Sequence, residues 1–501
     1  MCSKRIINYK GLTILLLATV LTGNSIQAQQ FRLATTLQSN MVVQQNKPLK
    51  VWGDAAPGSV ITIKADWLAA AYSDTTGMDG DWLTELPVPA AIPGDYTPHN
   101  ITVSDGKQEK LLSNILIGDV WLCSGQSNMD MQLKPFLPWL LGVMHYEQEI
   151  ANAQYPQIRL FDLQTNFAAA PARDGEGNWS VCSPLTVPDY SAVAYFFARD
   201  IFLQRRIPVG LVVSSIGAST CQAWTSRDTL AGDRMLQQKY LYPYDTSARS
   251  KEVLDATVTF DKVARPTLLY NAMIYPLRHI SLSGILWYQG ESNRQEGDTY
   301  TRLLTAMVRN WRNLFNQGDL PFYYVQVAPY NWMENNPEAF EYARLREAQA
   351  SLRSQLPATG MAVTMDIADP NDIHPRNKQD VAYRLARLAL ANTYGVKGLV
   401  STGPEYQAVD VVKDTLVVSF KMETTGSGLA TNDGQAPRHF FVAGSDKKFY
   451  PAEAVIKDNK VWVYSRQVKK PVAVRYAFTN YPVTNLCNKE GFPAVPFRSS
   501  F

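Results

Sequence analysis

Charge of one sign, histidine, paired cysteines and long apolar runs are all scarce in this 501-residue chain. Its 48 Lys and Arg nearly balance 45 Asp and Glu. So close a balance argues against nucleic acid or an anionic membrane surface as the principal partner, because both are met by strongly basic faces. The five cysteines, Cys2, Cys123, Cys182, Cys221 and Cys487, form no C-x-x-C pair, so neither a zinc knuckle nor a dense disulfide framework is indicated. The last four leave three disulfide pairings open, with free buried thiols as the alternative. Also missing are G-x-S-x-G, H-E-x-x-H, G-x-x-x-x-G-K-[ST] and G-x-G-x-x-G, which removes support for ordinary α/β-hydrolases, zincins and nucleotide-binding folds.

The first residues hold a different pattern. Lys4, Arg5 and Lys10 precede an apolar run from Leu12 to Leu21, and a polar stretch ends in Ile26-Gln27-Ala28. This is the layout of a secretory signal peptide over residues 1–28. The run is too short for a permanent anchor, and no later stretch reaches the roughly 18 apolar residues of a membrane span. Cys2 precedes the run instead of ending it, which argues against lipidation there. Removing residues 1–28 takes the net charge from +3 to zero and leaves 473 residues, more than one ordinary domain. The expectation is an exported protein, periplasmic or secreted, with no integral membrane segment after signal removal. Its 11 Trp suit either stacking on sugar rings or filling β-rich cores.

From Phe31 to about Ser113, short alternating segments such as Met41–Gln45, Leu49–Trp52 and Val60–Lys64 are separated by Gly53-Asp54, Pro57-Gly58 and Pro93-Gly94-Asp95. This predicts an all-β N-terminal domain over 29–113. Near Asn114 the texture changes. Compact apolar strands are predicted at Asp119–Cys123, Ile158–Leu163, Val209–Ser214, Gly284–Tyr288, Phe322–Val327 and Ala362–Asp366. Helical stretches lie at Ala192–Arg206, Tyr300–Leu314, Phe340–Arg353 and Gln379–Thr393. Strand and helix in alternation predict a parallel sheet covered on both faces, here over 114–396. Short strands return in 397–501, as in Thr415–Phe420, Val461–Tyr464 and Ala473–Tyr476. The fold class is α/β with flanking all-β regions.

In such sheets the chemistry sits beyond the carboxyl ends of the strands. The first core strand runs into Gly125-Gln126-Ser127-Asn128-Met129. A serine among Gly and small polar residues, where a buried strand meets solvent, suits a nucleophile activated by a base. The same turn would also suit Ser127 or Asn128 as a helix N-cap. Of five histidines, His99 and His439 fall in the β-rich regions, His145 in an insertion and His279 ahead of a strand. His374 is left, between the last core strand and a helix for which Asn377 is a good N-cap and Asp380 a good N3 partner. A base needs an acid on its second nitrogen. Asp369 and Asp372 are both near, and Asp372 is preferred. Two more strand ends, Ile216-Gly217-Ala218-Ser219 and Gln289-Gly290-Glu291-Ser292-Asn293, offer backbone or side-chain donors for a developing oxyanion.

Together, Gly125–Met129, Ser215–Ala218, Trp287–Asn293 and Asp372-Ile373-His374-Pro375 resemble the sialate O-acetylesterase family of the SGNH hydrolases. The segments Met41–Gly53, Asn485–Ala494 and Pro496–Arg498 resemble its two ends, so the likeness spans nearly the whole chain after residue 28. The resemblance implies a flavodoxin-like three-layer SGNH core, no metal and no other cofactor, and O-acetylated sugars as substrates. It implies Ser127 as nucleophile, His374 as base, and Gly217 as an oxyanion donor. It also implies Gln289 where many SGNH enzymes carry an oxyanion-hole Asn. This chain departs from the family in three places. Ala218 stands where the family has a second Gly, Ile216 replaces an aromatic, and Asn371 occupies the position three before the histidine where Asp is usual. An acetylesterase for another glycan, such as acetylated xylan, would carry the same catalytic residues. A rival of another class is a carbohydrate-binding protein with an inactive core.

Overall fold

The computed structural model describes residues 30–332 and 339–499. The segment read as a signal peptide lies outside them. The order of elements is β-rich, then α/β, then β-rich.

A 17-residue strand, β1 (Glu109–Gly125), organises the molecule. Its first half pairs antiparallel with His99–Ser104 and belongs with the N-terminal strands, whereas its second half is a central strand of the parallel sheet. The change of texture at Asn114 therefore falls inside one strand, with no linker. Asn114 marks it with φ +56, and its Nδ2 donates to Asn40 Oδ1 at 2.7 Å.

Past β1 the chain forms α1 (Ser127–Asp130), β2 (Ile158–Leu163), β3 (Gly177–Val181), α2 (Ala192–Arg205), β4 (Val209–Ser215) and β5 (Gly284–Tyr288). It continues through α3 (Asp298–Phe315), β6 (Phe322–Val325), α4 (Glu341–Gln355), β7 (Thr359–Ala362) and α5 (Lys378–Asn392). The sheet order is β3-β2-β4-β1-β5-β6-β7, parallel except for β3. The last strand lies earlier than expected. Ala362–Asp366 begins where β7 ends, because pairing with β6 runs only from Thr359 to Ala362.

Side chains alternate across this sheet, as strand geometry requires. Trp121 and Cys123 of β1 face a layer built with Phe197 of α2 and Leu385 of α5. Val120 and Leu122 face the opposite layer, which holds Trp311 of α3 and Leu345 of α4. Each layer is built of buried apolar side chains, so the sheet is covered on both faces.

β1 is flanked by β4 on one side and β5 on the other, and the chain fills the first side before crossing to the second. That is a topological switch point, where a crevice opens beyond the carboxyl ends of the strands. Residues Gln126–Met129 lie at the mouth of it.

The C-terminal strands form a seven-stranded sheet of their own, from Tyr406–Val412 to Phe497–Arg498. This region packs on the core. Asn480 Oδ1 accepts from Tyr342 N at 2.9 Å, and Tyr383 stacks on Phe492 with ring centres 6.1 Å apart. The N-terminal strands are anchored through Asp119, whose Oδ1 accepts from Gln45 Nε2 at 2.9 Å. Cys123, Cys182, Cys221 and Cys487 are buried free thiols. No helix among the described residues is long and apolar enough to cross a membrane.

Candidate active site

β1 ends in Gly125 with φ +144, and a Cβ there would lie 2.1 Å from the carbonyl oxygen of Tyr288. Only glycine lets β1 and β5 stay paired to their ends while the chain turns away. Gln126, extended at φ −108, is the N-cap of α1, and Ser127 is its first residue. The cap is thus neither Ser127 nor Asn128, and the Ser127 hydroxyl is left free for another partner. The Gln126 side chain holds the neighbouring strand end, since its Oε1 accepts from the amides of Gly290 at 3.2 Å and Ser292 at 3.3 Å.

His374 lies 247 residues further on, and its Nε2 is 2.8 Å from Ser127 Oγ. The loop carrying it is fixed at its far end by the expected cap. Asn377 Oδ1 accepts from Asp380 N at 3.1 Å, and Asn377 Nδ2 donates to Asp380 Oδ2 at 2.8 Å. On the near side, Asp372 Oδ1 accepts from His374 N at 2.8 Å and lies 3.4 Å from His374 Nδ1. Burial works to raise the Asp372 carboxyl, but hydrogen bonds from His374 and the charges of His374 and Lys378 bring it below its ordinary pKa. Asp369 instead accepts from Asn371 N at 2.9 Å, within its own turn. Of the two acids, Asp372 is the one beside the imidazole.

Gly217 stands across from Ser127: a Cβ on it would be 3.7 Å from Ser127 Cβ. Among the described residues no hydrogen bond claims the Gly217 N–H. Ser127, first in its helix, likewise has an N–H with no intrahelical acceptor. The amides of Gly217 and Ser127 are thus both left without a hydrogen-bond partner among the described residues. Ala218 follows with φ +59, a left-handed conformation at the position where the resembled family has a second Gly.

Gln289 requires a correction. Its side chain is fully buried. Both hydrogens of Nε2 are spent, on Ser219 O at 3.1 Å and Asn293 Oδ1 at 2.7 Å, while Oε1 accepts from Tyr300 Oη at 2.8 Å. With its donors committed, Gln289 is not an oxyanion donor. It braces the ends of β4 and β5 against α3. The reason is strand alternation, which sends Gln289 to the face opposite Tyr288.

Asp130, at the end of α1, accepts from Ser215 Oγ at 2.9 Å and so ties the helix that carries Ser127 to the end of β4. Nothing in the local sequence signals this contact, or that of Gln126, because each joins residues far apart in the chain. Among the described residues no group of three or more His, Cys, Asp or Glu is placed to hold a metal ion.

A hydroxyl, an imidazole, a carboxylate and two free amides at one edge of a sheet are the parts needed for acyl transfer. Comparison with known proteins points to an esterase. Residues 117–391 match the family described as carbohydrate esterase, sialic acid-specific acetylesterase. Among relatives, the rat sialate O-acetylesterase is 30% identical over 442 residues, covering 80% of each chain. The human sialate O-acetylesterase is 28% identical, covering 79% of this chain and 78% of its own. The crystal structure of a carbohydrate acetylesterase from Xanthomonas citri superposes with a TM-score of 0.82 at 32% identity, covering 94% of this chain and 99% of that one. The protein is an esterase and belongs to the family of sialic acid-specific acetylesterases.

Proposed function

We propose that this protein is a periplasmic or secreted serine esterase that removes O-acetyl groups from sialic acid. Ser127 is the nucleophile, His374 the general base and Asp372 the acid that orients it. The observation that carries this reading is the 2.8 Å approach of His374 Nε2 to Ser127 Oγ. The core, with its parallel sheet and an apolar layer on each face, is of the SGNH type. It spans about residues 114–396, between β regions at 29–113 and 397–501.

In the first step His374 Nε2 takes the proton of Ser127 Oγ as that oxygen bonds to the acetyl carbonyl carbon. The amides of Ser127 and Gly217 receive the charge on the carbonyl oxygen, and the imidazolium returns the proton to the departing sugar oxygen. Water then attacks the acetyl-enzyme by the same proton path and releases acetate. General-base catalysis of this kind contributes about 10²–10⁴-fold. Each oxyanion donor adds roughly 10²–10³-fold.

Sialic acid as the substrate rests on the family match and on what the rat and human relatives are named for. An acetylesterase for another glycan, such as acetylated xylan, is the second reading. It is favoured by the Xanthomonas citri relative, described only as a carbohydrate acetylesterase. Acetate release from O-acetylated sialic acid, measured beside acetylated xylan, separates the two. Covalent labelling of Ser127 by a serine-directed phosphonate tests both against a non-catalytic carbohydrate-binding protein. Nucleic acid is not among the proposed partners.

A further inference from the structure

Three buried polar side chains behind the Ser127–His374 pair take no part in the steps above. Glu291, Asn128 and Lys378 are 5%, 1% and 0% exposed. Asn128 Nδ2 donates to Glu291 Oε1 at 2.6 Å and to the carbonyl of Ile373 at 3.1 Å. Asn128 Oδ1 accepts from Lys378 Nζ at 2.6 Å, and the same ammonium donates to the carbonyl of Pro375 at 2.6 Å. Glu291 Oε2 is buried with no hydrogen-bond partner among the described residues.

The two carbonyls held in this way flank His374, one on each side. The side chain that reaches the first, and holds the ammonium that reaches the second, belongs to the residue immediately after Ser127. One amide group thus fixes the spacing between the backbone of the nucleophile and the backbone of the base. Burying a carboxylate and an ammonium costs several kcal/mol per ion before their mutual attraction is counted, and packed apolar side chains would fill the same volume at least as stably. Stability alone therefore does not account for these groups.

We propose that Glu291, Asn128 and Lys378 form a buried clamp that positions His374 against Ser127, with the Glu291 carboxylate as a second negative charge supporting the imidazolium. All three are positioning residues, and the proposal rests on Ser127 and His374 acting as nucleophile and base. His374 faces Asp372 from its own loop, Glu291 from the segment after β5, and Lys378 from α5. Tyr288 and Tyr342 also sense Glu291, but burial pushes both phenols far above their ordinary pKa, so they stay neutral. Burial also raises the Glu291 carboxyl, against hydrogen bonds and the positive charges of His374 and Lys378, and lowers Lys378 to about 7. Glu291 and Lys378 thus depend on their neighbours for their charge.

The test compares kcat, KM and the pH profile of kcat/KM for wild type, E291Q and N128A on an O-acetylated sugar, with S127A as control and thermal unfolding as the check on folding. E291Q keeps an oxygen for Asn128 and removes the charge, so the imidazolium loses support. The acidic limb of its profile is expected to move down by about one pH unit. N128A is expected to lose about 10²-fold in kcat with KM unchanged, as misplacement of a catalytic group does. An E291Q limb that coincides with wild type, or an N128A enzyme that folds and keeps wild-type kcat, overturns the proposal. Should N128A not fold, E291Q decides alone. An active S127A would instead overturn the underlying assignment of the nucleophile.

Discussion

His374 Nε2 and Ser127 Oγ meet at 2.8 Å although 247 residues of chain separate them. Neither element supplies this closeness alone. β1 delivers Ser127 to the switch point of the sheet, and the loop between β7 and α5 brings His374 to the same edge. Contacts on either side, Gln126 with the β5 loop and Asp130 with Ser215, keep the turn from drifting.

The acid is tested by comparing Asp372→Asn with Asp369→Asn. The first is expected to lower kcat by about 10²–10⁴-fold, because the imidazole loses the partner that sets its tautomer. The second should stay close to wild type. Asp372 is held below its ordinary pKa, so its charge stabilises the folded state above the unfolded value, about 3.9, and that contribution is lost as pH falls through the folded value. The gap in unfolding midpoint between wild type and D372N should therefore be present at neutral pH and close on acidification, as measured by thermal unfolding.

Gln289→Ala should act mainly on stability. The change removes the donor to Ser219 O and Asn293 Oδ1 and the side-chain acceptor of Tyr300 Oη. Asn293 Oδ1 keeps the amide of Cys221 and Tyr300 Oη keeps the backbone carbonyl of position 289, so Ser219 O is the group left unsatisfied, at a cost of about 1–3 kcal/mol. Denaturant unfolding would read this directly. A variant with wild-type stability and a large loss of kcat would restore the side chain to the oxyanion hole.

Ala218 holds φ +59, next to Gly217. Ala218→Gly relieves a conformation that costs an L-residue about 1–2 kcal/mol, partly offset by the extra freedom of glycine in the unfolded chain. The expected result is a higher Tm of the variant, and an unchanged or lower Tm would show the strain to be absent.

Asp130 presents the opposite sign from Asp372. Burial lifts its carboxyl to about 7, against the hydrogen bond from Ser215, with Asp162 adding to the rise. Asp162 is itself pushed up to about 6, by burial and then by Asp189. A raised carboxyl pKa means the folded state keeps a proton that the unfolded state releases. Its stabilising contribution is full below about pH 4 and is lost as pH rises through the folded value. Asp130→Asn is accordingly expected to raise Tm above pH 7 and to change it little near pH 4. A pH-independent effect would count against a protonated Asp130.

Much of the architecture was legible in the order of residues. Ile158–Leu163, Gly284–Tyr288, Thr415–Phe420 and Ala473–Tyr476 form strands with the expected bounds, since apolar alternation is a local signal. The cap at Asn377 was equally local. Ser127 and His374 could be singled out because each stands at a strand end among residues that suit its chemistry.

What the sequence by itself determined is most of the core strands and helices and the candidate nucleophile and base. Periodicity and turn chemistry act over a few residues and need no knowledge of neighbours in space. The tertiary structure alone decided that β1 runs unbroken from the N-terminal strands into the core, that Asp372 rather than Asp369 meets the imidazole, and that Gln289 is spent on bracing. It also decided that Asn128, Glu291 and Lys378 converge behind His374. These are questions of which donor meets which acceptor across as many as 250 residues, and the packing of the sheet and its helices settles that choice.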